Sequence, residues 1–262
     1  MDSQSVDWSE LTDDALTRDF RVFQRRKGHR FSLDDLLTAW VAGTRLPTAR
    51  RILDLGSGIG SVALVLAWAL PESTLTTIEA HFPSFLIQKL NIERNRLAHR
   101  IQPVCADLRD RDLLSSLGNT YELITCTPPY YPPSACLHSP DPQRAHARVE
   151  LRGGIEAYLE AASLMLAPKG IVVISAHATQ RQRLLQSAKP LDLWPEDELV
   201  VIPREGKAPL FSVWVLSRVP SEAHARSLFV ARSSSGERSE DYVKLMAWLG
   251  LCPGALPRGR AR

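Results

Sequence analysis

The chain has 262 residues, of which 44% are hydrophobic and 23% are charged, and its formal net charge is +3 at pH 7. This length can bury one sizeable α/β core with extensions, so one domain is expected. The longest apolar stretch, near residues 62–70, is too short to span a membrane, and the acidic N-terminus argues against a secretory leader. The four cysteines lack CxxC spacing and the seven histidines are scattered, so we expect a cytoplasmic protein without disulfides or a metal site.

Strands and helices alternate along most of the chain. A helix is predicted over 32–43, with Ser32 as its N-cap. The alternating part predicts strands at 51–55, 74–79, 101–105, 121–126 and 170–175, and helices at 59–70, 83–98, 110–117, 150–166 and 179–189. Two further strands, 198–203 and 211–217, have no helix between them and predict an antiparallel hairpin at the sheet edge. The sequence therefore predicts a doubly wound, mostly parallel, seven-stranded α/β sheet.

The predicted elements also suggest three parts of unequal size. Residues 1–22 are expected to form a flexible acidic lead, and residues 23–218 one α/β domain. Residues 219–262 are expected to form a C-terminal extension. Within it, 221–236 is predicted to be flexible and 239–249 to be a helix, followed by a basic tail.

A glycine-rich turn, Asp54-Leu55-Gly56-Ser57-Gly58-Ile59-Gly60, joins the first alternating strand to the next helix. Strand, turn and helix follow the order of a mononucleotide-binding unit. The third glycine of a dinucleotide fingerprint would lie one place later, where the chain has Ser61, so NAD is disfavoured. Asp54 would repel a pyrophosphate and attract the ammonium and sulfonium groups of S-adenosylmethionine. The turn therefore predicts an S-adenosylmethionine site.

Two more acids follow the next two strands. Glu79 ends the strand at 74–79, where a carboxylate can accept hydrogen bonds from both ribose hydroxyls. Asp107 follows the strand at 101–105, where a carboxylate can reach the adenine amino group. A lone glutamate at a strand end is more often a solvated carboxylate. The carboxyl ends of parallel strands meet at one edge, however, so the acids together predict one crevice that holds the cofactor.

The strand at 121–126 ends in a second motif, Thr127-Pro128-Pro129-Tyr130-Tyr131. Two consecutive prolines fix φ and remove two backbone donors, so the strand ends and the preceding carbonyls are free to accept. An adjacent aromatic ring can stack on a flipped-out base, an interaction worth roughly 1–3 kcal/mol. This arrangement suits methyl transfer to an exocyclic amino nitrogen. An ordinary strand-ending turn, with the two tyrosines as core or rim aromatics, stays open.

Basic residues form two clusters: the first precedes the glycine turn, and the second follows the proline motif. Lys27 and Arg30 belong to the first cluster, and Arg144 and Arg148 to the second. If both clusters flank one crevice, they form a rim that binds RNA phosphates; the alternative is two solvated basic faces. The segment 132–146, rich in Pro, Ser and Asp, is predicted to be a loop that serves as a substrate lid.

The motifs together resemble the small-domain class I methyltransferases. The resemblance is carried by Phe23-Gln24, by the segment from Lys27 to Leu37, by the glycine turn, by Pro128-Pro129-Tyr130-Tyr131 and by Ala147-Arg148-Val149-Glu150. Within that class the chain is most similar to the bacterial tRNA1(Val) adenine-N6 methyltransferases, which modify the adenine just 3′ of the anticodon. The resemblance covers about residues 20–217. It implies a Rossmann-like fold, S-adenosylmethionine as cofactor and RNA, in particular tRNA, as partner. The sequence does not determine the oligomeric state, for which a monomer is the expectation.

The resemblance also implies roles for individual residues. The cofactor would be held by Asp54, Gly56, Gly58, Gly60, Glu79 and Asp107, with Phe31 and Asp34 at its methionine end. The transfer step would depend on Thr127, Pro128, Pro129 and Tyr130, and the substrate would contact Tyr131, Lys27, Arg30, Arg144 and Arg148.

One residue departs from the family pattern, because Thr127 stands where the motif has Asn, Asp or Ser. A threonine hydroxyl can accept a hydrogen bond, but its side chain is shorter than asparagine and β-branched. Two alternatives therefore stay open beside adenine-N6 methylation. The acceptor could be a protein glutamine or a ribosomal RNA guanine N2, or the chain could be a cofactor-binding and RNA-binding homologue without catalytic activity.

Overall fold

The computed structural model describes residues 8–118, 121–134, 139–221 and 223–251. In chain order the strands are β1 (Leu11–Ala15), β2 (Arg21–Arg25), β3 (Arg51–Leu55), β4 (Thr74–Glu79), β5 (Ile101–Cys105), β6 (Tyr121–Cys126), β7 (Leu166–His177), β8 (Trp194–Ile202), β9 (Phe211–Ser217) and β10 (Ala225–Val230). The helices are α1 (Leu33–Arg45), α2 (Ser61–Ala69), α3 (Phe82–Arg94), α4 (Arg111–Leu117), α5 (Pro142–Arg148), α6 (Ile155–Met165), α7 (Arg181–Ala188) and α8 (Glu240–Trp248).

The main sheet has the strand order β10-β8-β9-β7-β6-β3-β4-β5. Strands β3 to β7 pair in parallel, and β9 runs antiparallel to both β7 and β8. The mostly parallel sheet and its antiparallel hairpin are thus confirmed. The chain leaves β3 toward β5 and returns to the other side of β3 at β6, so the order reverses between β3 and β6. In an open α/β sheet, ligands bind outside the carboxyl ends of the strands at such a point.

The described residues place eight strands in this sheet, where the sequence predicted seven. The additional strand, β10, pairs in parallel with β8 and occupies the sheet edge that the hairpin was expected to occupy. It lies within residues 221–236, which were predicted to be flexible. Phe229 explains the pairing, because its side chain is only 1% exposed and contacts Trp40 of α1 at a centroid distance of 6.1 Å.

The N-terminal part is also more ordered than predicted. Strands β1 and β2 form an antiparallel hairpin from residue 11 onward, within the expected flexible lead of 1–22. Asn91 of α3 fixes the hairpin to the domain, since its amide oxygen accepts from the Phe23 N–H at 2.6 Å and its amide nitrogen donates to the Phe23 carbonyl at 3.0 Å. The boundaries of the expected domains stay a prediction, and the basic tail lies outside the described residues.

Helices cover both faces of the sheet. Leu37 of α1, Leu64 of α2 and Ile87 of α3 belong to one buried cluster, and Leu159 of α6 and Leu184 of α7 belong to the other. The doubly wound architecture follows from this division. No helix within the described ranges is long and apolar enough to cross a membrane.

Part of the expected lid at 132–146 is helical. Helix α5 begins with Pro142 in its first turn, and the Asp141 side chain accepts from the Arg144 N–H at 2.9 Å. Proline in the first turn after an aspartate N-cap is a favourable start for a helix. The next helix, α6, begins at Ile155 instead of the predicted residue 150, because the chain first returns to the proline motif: Glu150 N–H donates to the Tyr131 carbonyl at 2.9 Å.

Candidate active site

The glycine turn connects β3 to α2 through backbone conformations that favour glycine. Gly56, Gly58 and Gly60 have φ angles of 65°, 55° and 88°, in the left-handed region that other residues rarely adopt. A Cβ on Gly56 would lie 2.2 Å from the Tyr158 hydroxyl oxygen. A Cβ on Gly58 would meet no described atom within 4 Å. The turn therefore leaves its backbone open at Gly58, whereas Gly56 and Gly60 pack against Tyr158 and Gln88.

A first cavity lies beside this turn, at the carboxyl ends of β3, β4 and β5. Five of the eight predicted cofactor residues line it, whereas Asp34, Asp54 and Gly60 do not. The five are Phe31, Gly56, Gly58, Glu79 and Asp107. Thr127 and Pro129 of the proline motif complete its wall toward β6. Two further lining residues are His81 and His146, whose rings lie 4.8 Å apart. The sequence indicated His146, as part of the second basic cluster, but not His81.

Glu79 holds the turn from the neighbouring strand. One of its carboxylate oxygens accepts from the Gly58 N–H at 2.7 Å, and the other accepts from the His81 N–H at 2.6 Å. Burial raises the pKa of this carboxyl above its ordinary value, although the two hydrogen bonds act to lower it. Glu79 therefore combines an acceptor at the cavity wall with a direct link to the glycine turn.

Asp107 lines the same cavity but is already engaged by arginines. The Arg109 guanidinium donates to both of its carboxylate oxygens, at 2.9 and 2.7 Å, and Arg152 lies 3.6 Å away. The hydrogen bond from Arg109 holds the pKa of Asp107 below its ordinary value. Asp107 is thus ionised, and any contact to an adenine amino group would share the carboxylate with Arg109.

Asp54 lies beneath the turn instead of at the cavity surface. It is 1% exposed, and its Oδ1 accepts from the Thr125 hydroxyl of β6 at 2.7 Å. Burial raises its pKa to about 7. The other oxygen, Oδ2, is buried and has no hydrogen-bond partner among the described residues. Asp54 therefore links β3 to β6 beneath the turn and does not face the cavity.

The start of α1 places two adjacent acids at different points. Asp34 lines the second cavity described below, and its Oδ2 accepts from the Tyr130 hydroxyl at 2.9 Å. Asp35, which the sequence did not single out, lines both cavities. Burial, and then the neighbouring Asp34, raise the pKa of Asp35. The capping box formed by Ser32 and Asp35 orients this carboxyl. The sequence pattern of this capping box was the signal by which Asp35 could have been identified.

The proline motif separates the first cavity from a second one. Thr127 lines both cavities, Pro129 lines the first, and Pro128, Tyr130 and Tyr131 line the second. The Tyr131 N–H donates to the carbonyl of Arg148 at 3.0 Å, which joins the motif to the end of α5. All five residues of the motif thus lie around the junction of the two cavities.

The second cavity has a volume of about 790 Å³ and is open to solvent. It is bounded by the segment before α1, the proline motif, α5, the end of β7, the β8–β9 turn and the segment from β10 to α8. Tyr130 packs beside Phe211 of β9 at 6.4 Å, and Tyr131 lies 6.0 Å from His177 at the end of β7. The cavity therefore has aromatic walls next to Thr127.

The two basic clusters meet at this cavity. Arg30, Arg144 and Arg148 line it, and Arg144 also donates to the Gly28 carbonyl at 3.0 Å. Arg30 is paired with Asp14 of β1 at 2.9 Å, so its charge is partly neutralised. Lys27 is exposed and lines neither cavity. No group of three metal-binding side chains occurs in the part of the chain that the structure describes.

Comparison with known proteins agrees with this geometry. Residues 33–139 match the family model of the methyltransferase small domain. A tRNA1(Val) (adenine(37)-N6)-methyltransferase of Bacteroides fragilis is 32% identical over 214 residues, which cover 80% of this chain and 85% of that protein. The corresponding protein of Porphyromonas gingivalis is 30% identical over 227 residues, with 80% and 84% covered. The chain belongs to the small-domain methyltransferase family.

Solved structures show the same fold at lower sequence identity. A protein from Agrobacterium tumefaciens described as a predicted O-methyltransferase has a TM-score of 0.60 and 16% identity, and covers 84% of this methyltransferase and 97% of its own chain. A methyltransferase from the same organism, described as dependent on S-adenosylmethionine, has a TM-score of 0.55 and 18% identity, with 81% and 71% covered. These likenesses confirm the fold expected from the sequence.

The first cavity of the methyltransferase fits S-adenosylmethionine, the cofactor of this family. The open space at Gly58 leaves room for a ligand against bare backbone, which a side chain would fill. The Glu79 carboxylate can accept from hydroxyl groups. Asp35 places a further carboxyl where the two cavities meet, and a carboxylate favours a neighbouring sulfonium or ammonium group. The individual residue contacts stay predictions.

The buried carboxyl of Asp54 leads to a prediction about pH. Its pKa is about 7 in the folded protein and 3.8 ordinarily, so the folded state binds the proton more tightly and stability falls as pH rises between these values. Relative to the variant Asp54→Asn, the parent should lose about 2–3 kcal/mol of unfolding free energy between about pH 5 and about pH 8. Urea unfolding of both cofactor-free proteins at the two pH values measures the difference. An identical pH dependence in both proteins would contradict the assignment.

Proposed function

We propose that this methyltransferase transfers a methyl group from S-adenosylmethionine to the N6 atom of an adenine in tRNA. The observation that carries the proposal is the position of Thr127, which lines both cavities at the end of β6. A methyl group held in the first cavity and an amino group held in the second would meet beside it. The cofactor supplies an electrophilic methyl group on a sulfonium.

The residues of the second cavity match a planar nucleobase. Tyr130 and Tyr131 offer aromatic surface, and Pro128 makes the adjoining wall rigid. The Tyr130 hydroxyl is fixed by its hydrogen bonds to Asp34 and to Ser175, at 2.9 and 3.2 Å, so the ring has a defined orientation. A base that stacks there would be held in one plane, which is the main requirement of an in-line transfer.

Thr127 would accept a hydrogen bond from the exocyclic amino group. This bond orients the nitrogen lone pair toward the methyl carbon while the amino group becomes pyramidal. In the transfer the C–S bond would break as the N–C bond forms, S-adenosylhomocysteine would be the leaving group, and the amino nitrogen would then release a proton to solvent. No general base is needed for the attack, because the amino nitrogen is neutral and already has a lone pair.

Arginines at the cavity mouth support an RNA substrate. Arg144 and Arg148 are exposed on α5 and line the cavity, and neither forms a salt bridge within the described residues. Unpaired guanidinium groups at a cavity mouth suit phosphate oxygens. The names of the Bacteroides and Porphyromonas relatives support adenine 37 of a tRNA as the acceptor. We therefore also propose a cytoplasmic protein, and a monomer is the expected form.

Methyl transfer from tritiated S-adenosylmethionine tests the proposal. The acceptors are tRNA made without modifications, ribosomal RNA and total cell protein from the same bacterium. We expect label in tRNA, recovered as N6-methyladenosine after digestion to nucleosides. Label in ribosomal guanine or in protein glutamine would replace the proposal with one of the alternative acceptors. Tight cofactor binding without any transfer would instead favour the non-catalytic RNA-binding function.

A further inference from the structure

The C-terminal segment forms a wall of the second cavity. Ala231, Arg232 and Tyr242 line this cavity together with Pro203 and Leu210 from the β8–β9 turn. Ala231 and Arg232 lie between β10 and α8, and Tyr242 lies in α8, all after the end of the predicted α/β domain at residue 218. This wall and α5 line the same cavity from different parts of the sheet, because β10 pairs with β8 whereas α5 follows the proline motif after β6.

The core holds this wall in place. The Val230 N–H at the end of β10 donates to an Asp241 carboxylate oxygen of α8 at 3.2 Å. Trp248 at the end of α8 packs against Trp68 of α2 at 6.2 Å. The Arg232 carbonyl accepts from the Glu205 N–H at 2.8 Å, which ties the wall to the β8–β9 turn. Arg232 is therefore displayed from a fixed backbone at the cavity edge.

A short turn between Arg232 and Arg238 brings arginines together on this wall, beside the acids Glu205 and Glu237. The two arginines pair across the turn as an isolated antiparallel bridge, and Arg232 donates to the Gly236 carbonyl at 2.8 Å. Arg204 reaches the same turn, since its guanidinium would lie 3.2 Å from a Cβ on Gly236. Arg232 and Arg204 are exposed.

The guanidinium groups of this wall keep hydrogen-bonding capacity for a ligand. Among the described residues, Arg204 and Arg232 form no salt bridge, in contrast to Arg30, which is paired with Asp14. A guanidinium has five N–H donors, so Arg232 retains donors after its bond to Gly236. The nearby Glu205 carboxylate accepts from the Ser234 N–H at 3.0 Å and thus supports the turn.

We propose that Arg232 and Arg204 form a second phosphate-binding wall, opposite Arg144 and Arg148, and that the RNA backbone is held on both sides of the target nucleotide. The inference rests on the proposed function and names the partner surface of the same site. RNA fits better than an acidic peptide because the surface between the walls carries aromatic and apolar groups: Tyr131, His177 and Leu210, which is 45% exposed. Bases can stack on this surface while their phosphates reach either wall.

Three variants of the full chain test the second wall: Arg232→Ala, the double variant Arg144→Ala with Arg148→Ala, and Arg50→Ala as control. Arg50 is exposed next to β3, at the amino end of the strand and away from both cavities. The probe is an unmodified tRNA transcript, and its dissociation constant is measured against salt concentration. Each lost phosphate contact should reduce the log–log salt slope by about 0.7–0.9, so Arg232→Ala should reduce it by about one and the double variant by about two.

Methylation kinetics give the second readout. Arg232→Ala should raise KM for tRNA about fivefold with little change in kcat, Arg232→Lys should recover part of the loss, and S-adenosylhomocysteine should bind all variants equally. If the parent methylates tRNA but Arg232→Ala keeps its salt slope and KM, the second wall is refuted while the proposed function stands. If an acidic peptide competes with the tRNA and loses affinity for Arg232→Ala, the RNA assignment of this wall is overturned. If the parent methylates no RNA, the proposed function itself fails.

Discussion

Replacing Thr127 with valine should lower kcat about tenfold to a hundredfold while the affinity for S-adenosylmethionine stays unchanged. Valine keeps the β-branched shape but removes the hydroxyl acceptor at the junction of the two cavities. The loss of one acceptor in the transition state costs about 1–3 kcal/mol. Single-turnover methylation of unmodified tRNA measures the rate, and calorimetry with S-adenosylhomocysteine measures the cofactor site.

The matched control for this prediction is Thr127→Asn. Asparagine restores the acceptor that the family motif has at this position, so activity should be kept or increased. Tyr130→Ala should lose more activity than Thr127→Val, because it removes both the stacking surface and the hydrogen bond to Asp34. Equal rates for the parent and Thr127→Val would remove the threonine hydroxyl from the mechanism.

Replacing Glu79 with alanine should weaken cofactor binding about a hundredfold. The variant loses an acceptor at the wall of the first cavity and leaves the N–H groups of Gly58 and His81 without their carboxylate. Two hydrogen bonds to a charged group contribute about 1.5–3 kcal/mol each, part of which holds the glycine turn in its binding conformation. The dissociation constant of S-adenosylhomocysteine, measured by calorimetry, reports the loss.

Two control variants separate binding from folding. Glu79→Gln keeps one amide oxygen in place and should show a smaller loss, and Glu72→Ala changes an exposed acid between α2 and β4 and should bind as the parent does. The thermal midpoint of each cofactor-free variant shows whether the protein is folded. A folded Glu79→Ala protein with parental affinity would disprove the assignment of Glu79 to the cofactor.

The parallel part of the fold was predictable because its signals are local. The parallel strands β3, β4, β5 and β6, and the antiparallel strand β9, have the bounds that the sequence predicted. Each is a short run, mostly apolar or β-branched, with a glycine, a proline or a charged residue at its end or within the next two positions. Helix bounds were less accurate, since a helix such as α6 begins only where the tertiary contacts of Glu150 end.

The missed strands lack such local signals. Strand β1, with the sequence Leu-Thr-Asp-Asp-Ala, is half polar, and its position depends on β2 and on Asn91 of α3. Strand β10 is exposed over its first four residues and is held by Phe229 near its end. Both depend on contacts with distant parts of the chain, which a reading of composition along the sequence does not detect.

The candidate site shows the same difference between features with a local sequence signal and features that depend on distant contacts. The glycine turn and the proline motif were identified because glycine and proline are constrained by the backbone itself. The contacts of individual side chains were not predictable. Arg30 is partly neutralised by Asp14 from a strand that the sequence missed, and Asp54 accepts a hydrogen bond from Thr125 beneath the turn. Arg232 was missed because its segment was expected to be flexible.

Thr127 and Asp35 form a common boundary of the two cavities, and this has a thermodynamic consequence. A ligand in one cavity changes the surface that a ligand in the other cavity contacts. Through the Asp35 carboxyl it also changes the electric field in the other cavity. The two binding equilibria are therefore linked, and linkage is reciprocal: the factor by which the methyl donor changes the affinity for tRNA is the factor by which tRNA changes the affinity for the donor. Methyl transfer removes the positive charge of the sulfonium. The coupling free energy between the demethylated cofactor and the methylated base therefore differs from the coupling free energy between the two reactants. A sulfonium held beside Asp35 would in this way couple product release to the loss of its positive charge.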